Sequence, residues 1–256
     1  MQEVGSCGVL ARVDADCARI ILNRPPLNVM NIELLREMGR VVSGLLAERS
    51  ILVIQAEGRA FSVGVEVKDH VPEKVPEMLG VFHSVFRQLA RADCVTIAAV
   101  QGHCLGGGME LATFCDFVVA EETASFGQPE IKLGCFPPVA MVTFPTLAGP
   151  RAAMDLILTG RTIKAPQAQA MGFVSRTAPE GELAKAVDQL VRELSALSPA
   201  ALRHTRHGLR QRIGTDFESQ LAAMERLYLD GLMKTEDAHE GIQAFLEKRA
   251  PVWTGR

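Results

Sequence analysis

Short apolar stretches and amphipathic stretches alternate along the first 150 residues. Two alternating segments, Gly8–Val13 and Cys17–Leu22, are typical of strands joined by a short turn. Two continuous apolar runs, Ile51–Gln55 and Val95–Val100, are typical of strands that are buried on both faces. Apolar residues at helical spacing follow each run, as over Pro76–Arg91. This succession of strand and helix predicts an α/β core with parallel strand pairing.

Three further elements complete this part of the chain. Asn31 is a typical N-cap and predicts a helix that begins directly after it, with Leu45 and Leu46 on its apolar face. A helix is expected over Gly106–Cys115, where three glycines precede an apolar stretch. A strand is expected over Phe117–Ala120.

The pattern changes after Pro150, because helical spacing then continues almost to the end of the chain. Ser198 followed by Pro199 is typical of an N-cap with proline at the first helical position. Only Phe173–Thr177 has the character of a strand. The predicted helices are Arg151–Leu158, Ala165–Met171, Glu182–Leu197, Pro199–Gln211, Asp216–Met233 and Glu236–Lys248.

The composition is that of a folded globular protein, with 256 residues of which 48% are hydrophobic and 22% charged. The net charge of −3 disfavours nucleic acid as a partner. No apolar run approaches the roughly 20 residues that cross a bilayer, and the first residues lack a signal-peptide pattern. We therefore expect a cytoplasmic protein without a membrane partner. The six cysteines show no CxxC spacing, which predicts free thiols and no metal site.

The most informative segment is Val95–Leu111, in which a buried strand leads into three consecutive glycines and then a helix. Glycines let the backbone approach a ligand closely, and the first N–H groups of a helix are free to bind it. The same helix end carries partial positive charge and suits an oxyanion. An upstream glycine, Gly64, can expose the N–H of Val65. Val65 and Gly107 are therefore candidate donors of a two-donor oxyanion hole.

Two glutamates follow these loops. Glu110 lies in the first turn of the predicted helix, where its simplest role is to be a favourable partner of the helix dipole. Glu130 lies in an otherwise apolar stretch, where a glutamate is usually ion-paired or solvated. If Glu130 is buried instead, its pKa rises and it can act as a general acid. Their spacing alone does not bring the two acids together.

Five segments together resemble the crotonase (enoyl-CoA hydratase/isomerase) superfamily in its order and spacing, over essentially the whole chain. They read LNRP, GRAFSVGV, QGHCLGGGMEL, FGQPEIKLG and EKRAP, and the last is followed by a terminal GR. The resemblance implies an α/β spiral of ββα units over residues 1–197. It also implies a C-terminal helical region over residues 198–256 that builds a homotrimer or a dimer of trimers.

The resemblance implies a chemistry as well. The substrate is an acyl-CoA thioester, and no cofactor is expected beyond the coenzyme A of the substrate. The N–H groups of Val65 and Gly107 polarise the thioester carbonyl, while Glu110 and Glu130 hold a water across the double bond. Because both acids are present, reversible hydration by a hydro-lyase is favoured. An enoyl-CoA isomerase or an acyl-CoA thioester hydrolase of the same fold is the alternative.

Other residues are expected to bind the substrate because of their positions in these motifs. Arg59, Lys68 and Lys248 are candidate partners of the CoA phosphates or adenine, although each is equally an ordinary surface cation. The remaining candidates are Ser62, Val63, Gly64, Gly106 and Pro137.

The third motif departs from the pattern of common hydratases. Pro137 and Pro138, with larger side chains around them, replace a glycine-rich stretch that lines the acyl pocket in relatives. The segment that begins at His70 reads HVPE. These features resemble the branch that hydrates cyclic dienoyl-CoA esters in anaerobic aromatic degradation. A cyclic dienoyl-CoA is therefore a candidate substrate.

Three other interpretations compete with this one. Ser62 lies in a sequence one residue short of GxSxG, which would suit a serine hydrolase. The three glycines invite a dinucleotide site but do not complete GxGxxG. The basic run over residues 203–212 could bind RNA, although a solvated or subunit-facing patch is expected there.

Overall fold

The computed structural model describes residues 7–45, 49–213 and 216–256, so Leu46 and the first six residues lie outside the description. It contains a six-stranded sheet and a four-stranded sheet. The strands are β1 Val9–Val13, β2 Ala18–Leu22, β3 Ile51–Ala56, β4 Ala60–Ser62, β5 Val95–Val100, β6 His103–Leu105, β7 Phe117–Glu121, β8 Ser125–Gly127, β9 Thr162–Lys164 and β10 Arg176–Ala178.

The structure also contains α-helices between and after these strands. They are α1 Ile32–Leu45, α2 Val75–Arg91, α3 Gly107–Phe114, α4 Pro138–Leu147, α5 Pro150–Thr159, α6 Ala165–Ala170, α7 Leu183–Ser195, α8 Pro199–Ile213, α9 Phe217–Arg226 and α10 Glu236–Leu246. Short 3₁₀ turns span Val67–Asp69, Pro129–Leu133 and Leu232–Lys234, and a π-helical turn spans Leu227–Gly231.

The chain repeats one unit three times. A strand of the large sheet, a short strand of the small sheet and a helix follow one another as β3-β4-α2, β5-β6-α3 and β7-β8-α4. The large sheet has the order β1-β2-β3-β5-β7-β10 and is parallel except where β1 meets β2. The predicted parallel core and the predicted spiral of ββα units are therefore confirmed.

The large sheet is buried as its apolar pattern predicts. Every residue of β5 is buried, and so are the first four residues of β3. The structure also confirms the two predicted N-caps. The Leu34 N–H donates to Asn31 Oδ1 at 3.0 Å, and α8 begins at Pro199 after Ser198. Local sequence signals are sufficient at these positions because each is a short-range backbone interaction.

Two elements differ from the prediction because core packing outweighs local pattern. The strand expected over Phe173–Thr177 pairs only from Arg176 onward, since Phe173 instead packs its ring against Phe144 at 4.6 Å. The helix expected over Asp216–Met233 ends at Arg226 and continues as the π-helical turn and a 3₁₀ turn.

Helix α4 was not expected from the sequence. It begins with proline, contains Pro145 and is apolar on nearly every side, so it shows no amphipathic period. Such a helix is stabilised by burial rather than by pattern. The small strands were also missed, since three residues are too few to show alternation.

The basic run over residues 203–212 is only partly solvated, because Arg206 and Arg210 turn toward the core while Arg203, His204 and His207 are exposed. Arg206 is buried, and its Nε donates to Asp116 at 2.6 Å. Its other nitrogens donate to the Leu89 and Ala92 carbonyls at the end of α2. Arg210 also pairs with Asp116, at 2.8 Å, and lies over the Phe114 ring. These contacts fasten α8 to the ends of α2 and α3.

The C-terminal helices pack on the core of their own chain. Helix α9 lies against α4, and α10 lies against the turn Pro129–Leu133. Within the described ranges, no helix combines the length and the apolar character needed to cross a membrane.

Candidate active site

Two glycine-containing loops meet at the carboxyl ends of the small strands. Gly64 has a φ of 103°, and a Cβ added there would lie 3.3 Å from the Gly107 nitrogen and 3.2 Å from the Leu105 oxygen. A Cβ added at Gly107 would lie 2.9 Å from Val65 Cγ2. Only glycine lets the two backbones approach this closely. The two loops therefore place Val65 and Gly107 side by side.

The N–H groups of these two residues are unengaged. Met30 donates to Gly64 O and Glu66 donates to Met30 O, each at 2.9 Å, and these bonds fix the first loop on either side of Val65. Gly107 is the first residue of α3, so its N–H has no partner within the helix. Neither N–H donates to any acceptor among the described residues. Two free donors beside a helix N-terminus suit a developing oxyanion.

Glu110 turns inward from the first turn of α3. Its side chain is 3% exposed, and Oε1 accepts a hydrogen bond from the Ala140 N–H at 2.8 Å. Burial raises the pKa of Glu110 to about 7, although the N–H groups of Ala140 and Val139 oppose the rise. The simple interpretation of a solvated partner of the helix dipole does not fit this burial. Glu110 is a carboxyl group poised to exchange a proton near neutral pH.

Glu130 lies on the turn Pro129–Leu133, directly against α3. A Cβ added at Gly106 would lie 2.5 Å from Glu130 Oε1. Burial and the nearby Glu110 charge raise the pKa of Glu130 well above its usual range. With its amide nitrogen turned toward the acid, buried Gln128 donates to both carboxyl oxygens, at 3.0 and 3.2 Å. No cation of the described chain pairs with Glu130, so the usual surface role of a glutamate does not apply.

Both acids face one cavity of about 410 Å³. Two carboxyl groups that repel each other in a shared, buried space retain a proton at pH values where isolated glutamates are ionised. The cavity also borders Val65 and Gly107, so proton exchange and oxyanion binding can act on the same ligand. The apolar part of the wall consists of Met78, Leu79, Phe82, Phe136, Pro137 and Pro138.

The other predicted site residues divide into two groups. Val63, Gly64, Gly106 and Pro137 line the cavity. Arg59, Lys68 and Lys248 do not line it. Arg59 instead borders a separate hollow of about 420 Å³.

Ser62 is fully buried below the first loop rather than in the cavity wall. Its Oγ donates to the Asn28 carbonyl at 2.7 Å and accepts from the Gly64 N–H at 3.2 Å. No histidine of the described chain bonds to it: His70, the nearest in sequence, bonds to the Glu66 carbonyl, and His103 on the neighbouring strand bonds to Ser125. A serine nucleophile would need a base within hydrogen-bond reach. Ser62 therefore supports the loop and gives no basis for a serine hydrolase.

The cavity wall includes polar residues that sequence reasoning missed. His70 bonds through Nδ1 to the Glu66 carbonyl at 3.0 Å, and burial lowers its pKa, so the ring is neutral. Arg249 is held by Glu240 and Glu247 at the C-terminal side. Tyr228 comes from the π-helical turn. His70 and Arg249 lay within motifs already noticed, whereas no local pattern marked Tyr228.

Comparisons with known proteins agree with this arrangement. A family model described as "Enoyl-CoA hydratase/isomerase" matches residues 12–256. The chain is 37% identical to "Probable enoyl-CoA hydratase echA8" of Mycobacterium bovis, over 97% of the chain and 98% of that protein. It is 34% identical to "Cyclohexa-1,5-dienecarbonyl-CoA hydratase" of Thauera aromatica, over 95% of both. A solved enoyl-CoA hydratase from Mycobacterium avium subsp. paratuberculosis superposes with a TM-score of 0.88 at 25% identity, over 97% of this chain and 99% of the other.

Proposed function

The chain belongs to the enoyl-CoA hydratase/isomerase family and is a lyase of the enoyl-CoA hydratase type, and we propose that Glu110 and Glu130 are its acid–base pair. The reaction is the reversible addition of water across the α,β double bond of an acyl-CoA thioester. One observation carries the proposal: two carboxyl groups with raised pKa values, neither paired with a cation of the described chain, face one cavity beside two free backbone donors.

The pKa order supports a division of roles. The pKa of Glu110 is about 7, and the Glu110 charge further raises that of Glu130. We therefore assign the shared proton to Glu130 and the role of base to Glu110. In hydration, Glu110 takes a proton from water while the water oxygen bonds to the β-carbon. Glu130 gives its proton to the α-carbon, and transfer of a proton from Glu110 to Glu130 then restores the pair.

The backbone donors act on the other end of the double bond. As water adds, electron density moves through the α-carbon to the thioester oxygen, which gains negative charge. The N–H groups of Val65 and Gly107 stabilise that oxygen because they lie at the helix N-terminus and need no rearrangement. Losing one such donor in comparable enzymes costs about 100- to 1000-fold in rate. We therefore expect the oxyanion hole and the two glutamates to contribute similar factors to the reaction rate.

We propose a cyclic dienoyl-CoA as the substrate. Pro137 and Pro138 stiffen the wall beside Glu110, and Phe136 adds an aromatic face. A flat, rigid ring suits a rigid apolar wall better than a flexible chain does. The relative from Thauera aromatica, named for the same reaction class, supports this choice. Isomerisation needs only proton transfer between carbons, so the presence of two acids favours hydration over that alternative.

The assembly and the CoA contacts belong to the proposal as well. We expect a homotrimer or a dimer of trimers in which residues 198–256 contribute to subunit contacts. Arg59, Lys68 and Lys248 are proposed to meet the phosphates or adenine of CoA, with Lys248 reaching a neighbouring subunit. Light scattering of the purified protein tests the assembly. Charge-removing variants at the three cations should raise KM without lowering kcat.

An ultraviolet assay over a panel of thioesters tests the proposed reaction. The panel contains crotonyl-CoA, a longer straight-chain enoyl-CoA and cyclohexa-1,5-diene-1-carbonyl-CoA. Hydration of the cyclic ester with the highest kcat/KM supports the full proposal. Preference for crotonyl-CoA overturns the cyclic substrate but leaves the reaction. Double-bond migration or thioester hydrolysis without hydration overturns the reaction itself.

A further inference from the structure

Tyr228 is the single tyrosine of the sequence, and it lines the cavity that holds the two acids. It lies in the π-helical turn Leu227–Gly231, and π turns inside helical segments occur frequently at functional sites. The side chain is buried, and its ring packs edge-on against Phe136 with centroids 5.0 Å apart. The ring alone thus has a packing role that phenylalanine could fill.

The hydroxyl group of Tyr228 is not explained by packing. It is enclosed and makes no hydrogen bond of acceptable geometry with any residue of the described chain. Its polar neighbour is the thiol of Cys135, a weak partner that itself donates to the Leu133 carbonyl at 3.5 Å. A buried hydroxyl without a partner lowers stability. A ligand that brings an acceptor into the cavity would remove this deficit.

The Tyr228 hydroxyl keeps its proton and is therefore able to donate a hydrogen bond. Burial raises the pKa of Tyr228 well above its usual range, and the charges of Glu130 and Glu110 raise it further. The phenol therefore keeps its proton throughout the reaction. Tyr228 lines the same cavity as Glu110, Glu130 and Phe136.

The oxygen atoms of the reaction identify the acceptor. The inference rests on the proposed hydration, which involves the thioester oxygen and the oxygen of the added water. The N–H groups of Val65 and Gly107 bind the thioester oxygen. The oxygen of the added water has no backbone donor in the neighbouring wall, because Pro137 and Pro138 carry no N–H and the Ala140 N–H donates to Glu110.

We infer that the Tyr228 hydroxyl donates a hydrogen bond to the oxygen of the reacting water. The two water hydrogens then face Glu110 and Glu130, one lone pair accepts from Tyr228, and the other attacks the β-carbon. The proton lost by water goes to Glu110, and Glu130 supplies the proton for the α-carbon. Tyr228 neither gains nor loses a proton. In dehydration the same hydrogen bond stabilises the departing oxygen.

Tyr228→Phe tests this role, with whichever ester of the panel the wild type hydrates with the highest kcat/KM, since none of them carries an acyl oxygen beyond the thioester. We expect kcat to fall about tenfold in hydration and in dehydration, since one hydrogen bond to the reacting oxygen is lost. KM should change less than about twofold. The melting temperature should stay the same or rise, because an unpartnered hydroxyl is removed.

Cys135→Ala is the matched control, because it removes the neighbour of the hydroxyl and leaves Tyr228 in place. It should retain nearly full kcat. If Tyr228→Phe keeps wild-type kcat, or if Cys135→Ala reproduces its loss, the inference is overturned. A loss confined to substrates with an additional acyl oxygen also overturns it, in favour of a contact with that oxygen. A wild-type protein that hydrates none of the esters overturns the proposed function together with this inference.

Discussion

Helix α3 has an acid at each end, and the two acids experience opposite environments. Glu110, in the first turn, is buried without a cation partner among the described residues, and burial raises its pKa to about 7. Asp116, just beyond the last turn, is half-buried, and Arg210 and Arg206 hold its pKa below the ordinary value. Burial alone therefore does not make an acid available for proton transfer. What separates the two sites is whether the chain supplies a positive charge.

The difference corresponds to the opposite partial charges at the two ends of the helix dipole. An acid at a helix C-terminus faces the negative end of the dipole and needs compensation. The two arginines of α8 and the Thr96 hydroxyl and N–H provide it for Asp116. At the N-terminus, the free N–H of Gly107 is left for a ligand, and Glu110 receives backbone N–H groups, of Ala140 and Val139, but no positive charge from the described residues. One end of the helix is closed by protein groups, and the other end is open to substrate.

The largest expected effect is on activity. Glu110→Gln and Glu130→Gln should each lower kcat for hydration by about 100- to 10,000-fold, because each removes a group that exchanges a proton. Thioester binding, measured by calorimetry, should persist. Glu122→Gln, at an exposed glutamate, is the control and should match the wild type. Full activity in either cavity variant would contradict the two-acid mechanism.

The next effect is on stability and distinguishes the two ends of α3. Asp116→Asn should lower the free energy of unfolding by about 3 kcal/mol, because it leaves two partly or fully buried guanidinium groups without a counter-charge. Glu110→Gln should be neutral or stabilising at pH 8, where it removes an uncompensated buried charge. Urea unfolding of both variants measures the contrast. Equal destabilisation would show that the two acids serve the same structural purpose.

The pH dependence of stability should also differ in sign. Glu110 has a raised pKa, so its contribution is most favourable below the unfolded value of 4.5 and is lost as the pH rises through about 7. Asp116 has a lowered pKa, so its contribution is present above 3.8 and is lost as the pH falls through its lower folded value. Wild-type minus variant stability curves from pH 3 to 9 should therefore slope in opposite directions. Difference curves that slope in the same direction would contradict the proposed contrast between Glu110 and Asp116.

The smallest effect concerns the loop below the cavity. Ser62→Ala loses a hydrogen bond to the Asn28 carbonyl and one from the Gly64 N–H, and should cost about 1 kcal/mol of stability. Hydration should fall only a few-fold, through slight displacement of the Val65 donor. Thermal unfolding and the standard assay measure both. Complete loss of thioester turnover would restore the serine hydrolase as an interpretation.

Sequence patterns predicted the fold well where the interactions were short in range. The strands β3 and β5 were recognisable because continuous apolar runs are typical of buried parallel strands, and the caps at Asn31 and Ser198 depend on near neighbours. Helix α4 was not recognisable, because its apolar residues lie on every side and its prolines suggest a loop. Its existence depends on packing against α9, which is far away in the sequence.

The candidate site was predictable in part for the same reason. Glycine runs mark backbone that must approach something closely, and this directed attention to Gly64 and Gly107. The raised pKa of Glu110 depends on burial, whereas its position in the first turn of a helix favoured the simpler role of a dipole partner. The position of Tyr228 in the cavity and the pairing of Arg206 with Asp116 depend on contacts between residues 90 or more positions apart, which no local sequence pattern indicates.

The central claim is that Glu110 and Glu130 act as one unit on the same water, and a double-mutant cycle tests it most directly. Hydration by Glu110→Gln, Glu130→Gln and the double variant is measured with one thioester at saturating concentration. Because either loss alone disables the shared proton exchange, the double variant should be no slower than the slower single variant, within about threefold. Losses that multiply would contradict the claim, since they would mean that the two acids act independently.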